Sequence, residues 1–95
     1  MGTLVVCLAE DKYVKWSNTT DSPVSPVLDR AALIDFLEHE DHLTFSQADH
    51  LIAMADETGT SDPYVTLDEL LATNRAGVDE SCLSLSEILR QYRAD

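Results

Sequence analysis

The sequence predicts a single α+β domain, mainly helical, in which an N-terminal β-hairpin packs on about four short α-helices. Three observations carry this expectation. The apolar, β-branched run Thr3–Ala9 is followed closely by the alternating Tyr13-Val14-Lys15-Trp16. Three capping boxes then recur down the chain: Thr44-Phe45-Ser46-Gln47, Thr66-Leu67-Asp68-Glu69 and Ser84-Leu85-Ser86-Glu87. Finally, 95 residues of which 44% are hydrophobic suffice for one modest core and are too apolar for an acidic disordered tail.

The hairpin occupies 1–17, with strands at 3–9 and 13–17 and a turn at Glu10-Asp11-Lys12. Polar, turn-forming residues make 18–25 a loop. The helical part is 26–95. It opens at Ser25-Pro26, read as a serine cap followed by proline at the first helical position. Helices are expected near 26–40, 45–57, 67–75 and 85–93, with Gly59 and Gly77 where helices should stop. Val65 with Leu70 and Leu83 with Ile88 have the spacing of hydrophobic staples. Segments 64–71 and 82–89 match in character, as two successive helices using one start signal would.

Charge is distributed unevenly. Of a net charge of −12, ten units fall between Asp29 and Glu69, where eleven carboxylates face one cation, Arg30. Such a segment repels nucleic acid and attracts basic surfaces, so no direct nucleic-acid binding is expected. Lys12/Lys15 beside Tyr13 and Trp16, and Arg90/Arg93 beside Tyr92, are small basic-aromatic spots that read as ordinary rim residues. The run Leu4–Ala9 is too short for a signal-peptide core or a membrane span. Cys7 reads as a small buried hydrophobe and Cys82 as a turn residue, with their separation left open. A cytoplasmic protein without membrane partners is expected.

Residues Tyr64–Leu71 resemble the second half of an EF-hand, with a hydrophobe at the eighth loop position and Glu69 at the twelfth. The resemblance implies calcium binding, with Asp62 and Glu69 as ligands. The preceding part departs from the pattern, because Thr58 and Thr60 stand where carboxylates are usual and Pro63 replaces the turn glycine. Asp35, Glu38, His39 and His42 fall on one arc if the first helix runs past 40, a spacing that zinc sites use. His39, His42, Asp62 and Glu69 are therefore the metal candidates of an alternative reading, a small helix–loop–helix metal protein. Histidines among carboxylates also predict a mild pH dependence of partner binding.

No glycine-rich phosphate loop, nucleophile elbow or Cys–His pairing is present in the sequence, and neither catalysis nor a cofactor is expected. The leading expectation is a non-catalytic acidic interaction module. Its carboxylates Asp35, Glu38, Glu40, Asp41, Asp49, Asp56 and Glu57 would imitate a phosphate backbone and bind a basic surface, such as that of a nuclease or another nucleic-acid-binding protein. In size and charge the chain is similar to small acidic inhibitors that phages make against restriction or CRISPR machinery, a similarity of composition without a shared motif. A third reading makes the acids a solvated face of a structural domain, dimerising through an exposed edge at Thr3–Leu8.

Overall fold

A computed structural model describes residues 3–93, so the ends of the expected hairpin and helical part, 1–2 and 94–95, lie outside the described residues. Strands β1 (Thr3–Ala9), β2 (Lys12–Ser17) and β3 (Ser22–Pro23) form an antiparallel sheet in the order β1-β2-β3. Helices α1 (Arg30–Glu40), α2 (Phe45–Thr58), α3 (Leu67–Thr73) and α4 (Leu85–Gln91) follow, with a 3-10 turn at Val78–Glu80 before α4. The chain has the expected α+β class.

The hairpin closes through Glu10 and Asp11, with Asp11 in the left-handed region at φ 56°, which aspartate tolerates better than most residues. Side-chain alternation then sends the two halves of each strand to opposite faces. Leu4, Val6, Leu8, Val14 and Trp16 pack with Leu70, Leu83 and Ile88. Val5 and Tyr13 pack with Leu33, Leu37, Ala48, Ile52 and Ala55. The sheet is thus a middle layer, with α1 and α2 on one side and α3 and α4 on the other. Coverage on both faces explains why β1 is a nearly continuous apolar run.

Three segments extend the ladder beyond the hairpin. Residues 22–28 run antiparallel to β2, first as β3 and then through Val24 N–H donating to Lys15 O (2.8 Å) and a reciprocal Tyr13–Leu28 pair (both 2.8 Å). On their far side, Val27 N–H donates to Tyr92 O at 2.6 Å. The outer edge of β1, expected to stand open for a second copy, is covered instead. Cys7 N–H donates to Gly59 O and Ser61 N–H to Val5 O, both at 2.9 Å, while Ser61 Oγ accepts from Val5 N–H. Edge strands covered in this way are poor templates for pairing between chains.

The first helix starts later than the sequence suggested. Ser25 does not cap it; its hydroxyl accepts from Lys15 N–H at 2.9 Å, and Pro26 lies in the extended stretch beside β2. Asp29 is the cap, its carboxylate accepting from Ala32 N–H at 2.8 Å. All three capping boxes form as expected, and Gly59 ends α2 at φ 94°. Gly77 does not stop a helix, because α3 ends at Thr73. Its backbone is extended, but a Cβ there would come within 2.3 Å of Ser81 Oγ and 2.8 Å of Leu83 Cδ2, so glycine serves close approach.

Candidate acidic interface

The candidate surface is built on α1 and α2. The start of α1 is fixed from two sides, by Asp29 and by Asp11 of the hairpin turn, whose carboxylate accepts from Arg30 N–H at 2.9 Å. Leu33 and Leu37 then face the sheet, which leaves Asp35, Glu38 and His39 on the exposed side. In α2, burial of Ala48, Ile52 and Ala55 leaves Ser46, His50, Ala53 and Glu57 outward.

The seven carboxylates expected to bind a partner divide into two groups. Asp41, Asp49 and Asp56 are taken up within the molecule. Lys15, on the α1/α2 face of β2, pairs with Asp41. Arg30 pairs with Asp49, and its second nitrogen lies 3.7 Å from Asp56. Asp56 also accepts from the Tyr13 hydroxyl at 2.6 Å. Among the described residues, Asp35 pairs only with His39, one turn on, at 3.2 Å. Glu38, Glu40 and Glu57 are exposed, with no ion pair or side-chain hydrogen bond among the described residues.

Lys15, Arg30 and Tyr13 are thus working parts of this region, whereas the sequence reading took Lys15 and Tyr13 for ordinary rim residues. The only available signal was that Arg30 is the sole cation between 29 and 69. Its guanidinium joins α1 to α2, and through Asp56 the link reaches β2.

Burial, and next the hydrogen bond to Asp56, push the Tyr13 phenol up to about 12 from its ordinary value near 10. The folded state favours the protonated phenol, so this contribution to stability is complete below pH about 10 and is lost as pH rises through about 12. Changing Asp56 to asparagine should lower the Tyr13 pKa part of the way, since burial, the larger cause, remains. Following the Tyr13 ring-carbon resonance against pH checks this, and an unmoved titration would refute the pairing. The same burial, aided by Asp56, pushes the Cys7 thiol up, and the Asp35 backbone carbonyl and then its carboxylate push His39 up.

The metal candidates do not assemble. The α1 helix ends at Glu40, and His42, at φ 57°, has left its arc. Asp62 is engaged by the Tyr64 N–H and Glu69 by the Thr66 capping box. Among the described residues, no three His, Cys, Asp or Glu side chains are placed to hold a metal ion. Cys7 and Cys82 are both free thiols, the first packed toward α1 and α2, the second beside Leu71 O of α3.

A surface cleft of about 520 Å³ is lined by Glu10, Asp11, Lys12, Val27, Leu28, Asp29 and Ala32. Asp11 and Asp29, two of its three carboxylates, are already bound to the N-terminus of α1. Among the described residues, no helix is long and apolar enough to cross a membrane. No protein-family model, curated protein or solved structure matches the chain.

Proposed function

We propose that this chain is a non-catalytic, cytoplasmic acidic interaction module that docks on a basic protein surface, in its sharpest form the nucleic-acid groove of a nuclease or related protein. The supporting observation is the division of charge. The cations near α1 and α2, Lys15 and Arg30, are engaged by Asp41, Asp49 and Asp56. The exposed carboxylates Asp35, Glu38, Glu40 and Glu57 therefore project their field outward, with His39, beside Asp35, as their one ion-pair partner among the described residues. Charge held on rigid helices gives fast, salt-sensitive association with a surface of opposite sign.

The test begins with a basic nucleic-acid-binding protein recovered from host lysate at low salt and released at high salt. The triple variant Glu38→Lys, Glu40→Lys, Glu57→Lys removes no ion pair or side-chain hydrogen bond among the described residues and should melt like the parent. Its affinity for that partner should fall at least about tenfold, with a shallower salt dependence. A triple variant that binds as tightly as the parent would overturn the reading.

A further inference from the structure

The two helical layers are fastened to the sheet differently. On one face stand the Lys15–Asp41 pair, the Arg30 link to Asp49 and Asp56, and the Tyr13 hydroxyl on Asp56. Residues 66–93, on the other face, form a slighter layer. Helices α3 and α4 have seven residues each and one buried side chain apiece, Leu70 and Ile88. Helices of that length do not persist in water without packing. Between them, Asp79 and Glu80 are both left-handed, at φ 56° and 62°, a conformation that costs free energy in residues other than glycine.

Bonds inside this layer hold it together. Asn74 joins Leu71 O to Leu83 O, and the Tyr92 hydroxyl donates to Ala76 O at 2.8 Å. At its margins, Arg75 N–H donates to Asp21 O at 2.8 Å, and Tyr92 O accepts from Val27 N–H at 2.6 Å. Beneath it lies Trp16, fully buried, whose indole Nε1 has no hydrogen-bond partner among the described residues. While the layer is closed that donor is desolvated and unpaired, and water reaching it restores the bond. Apolar burial of Trp16, Leu70, Leu83 and Ile88 keeps the layer shut, whereas the indole N–H and the left-handed pair oppose closure.

We propose that residues 66–93 are a lid, which opens as one unit over the Trp16 face while the sheet, α1 and α2 stay folded. The internal bonds make it move as a piece, and the short helices make its opening less costly than global unfolding. Opening brings the indole and the side chains of Leu4, Val6, Leu8 and Val14 to solvent. The inference is independent of the acidic-module reading.

Native-state hydrogen exchange, followed by NMR on the whole chain, tests it. Trp16 is the sole tryptophan, and its indole N–H is shielded by burial alone, so one resonance reports the uncovering of the face. Protection, each measured against its own unfolded-state rate, should be alike for that N–H and the Leu70 and Ile88 amides. It should be at least about tenfold weaker there than at the Leu37 and Ala55 amides of the opposite layer. Ile52→Val, beside Leu37 and Ala55, should speed exchange at those two about fivefold and leave the lid group unchanged, because Ile52 stays packed when the lid opens. If the lid group is as protected as Leu37 and Ala55, or quickens with them in Ile52→Val, the layer opens only on global unfolding and the lid is overturned. Fast Leu70 and Ile88 amides beside a fully protected indole would overturn it too, since the helices would then fray without uncovering Trp16.

Discussion

Replacing Trp16 with alanine should remove about a third or more of the folding free energy. Trp16 is fully buried in the layer between the sheet and helices α3 and α4, packed among Leu4, Val6, Val14, Leu70, Leu83 and Ile88. Truncating so large a side chain costs about 3–5 kcal/mol, through lost burial and the cavity left behind. A domain of this size has roughly 5–10 kcal/mol in total. Urea unfolding followed by far-ultraviolet circular dichroism measures the loss. Trp16→Phe should cost less, since the ring is partly replaced and the indole Nε1, buried without a hydrogen-bond partner among the described residues, is removed. An alanine variant with the parent's urea midpoint would mean that the second layer is not packed as described.

Asn74 should be the most sensitive polar position. It is 3% exposed, and its amide donates to Leu71 O and Leu83 O, both at 2.8 Å. Its side-chain oxygen accepts from Leu83 N–H at 2.9 Å and from Ala76 N–H at 3.2 Å. One side chain thus closes the loop between α3 and α4. Asn74→Ala leaves these backbone groups without their partner, at about 1–3 kcal/mol for each that stays buried and unpaired, and should cost about 3 kcal/mol or more in all. Asn74→Asp is the sharper test. The introduced carboxyl can donate only when protonated, and when ionised it lies against two carbonyl oxygens. Its folded pKa is then raised above the ordinary value near 4, so the variant should be closest to the parent in acid. The deficit should grow as pH rises through that folded pKa. A deficit independent of pH would show that the amide hydrogens are not what holds the loop.

The legible parts of the fold were those written in a few adjacent residues. The capping boxes at Thr44, Thr66 and Ser84 need only one turn of chain, and all three form. The staple residues Val65, Leu70, Leu83 and Ile88 lie in one cluster. Ser25-Pro26 had the same local form and misled, because the Ser25 hydroxyl is claimed by Lys15 N–H of the neighbouring strand. The pairing of 22–28 with β2 had no periodic signal, since much of that segment is polar or proline and its partner is chosen by tertiary contact.

The candidate site followed the same rule. Acidity could be read by counting, but the separation of Asp41, Asp49 and Asp56 from Glu38, Glu40 and Glu57 depends on where Lys15 and Arg30 arrive in space.

The covered sheet edges have a consequence for the order of synthesis. The β1–β2 hairpin leaves the ribosome apolar on both faces and open along both edges. The segment that closes the β1 edge reaches Val5 only from Ser61, 56 residues later, whereas the β2 edge is closed by residues 22–28, whose own far side then waits for Tyr92. At about 5–20 residues per second, that interval lasts several seconds on every translating chain. What emerges in between is the most heavily charged stretch of the molecule, from Asp29 to Glu57. Like charges on that stretch repel those of a neighbouring chain during the interval in which the hairpin is still uncovered.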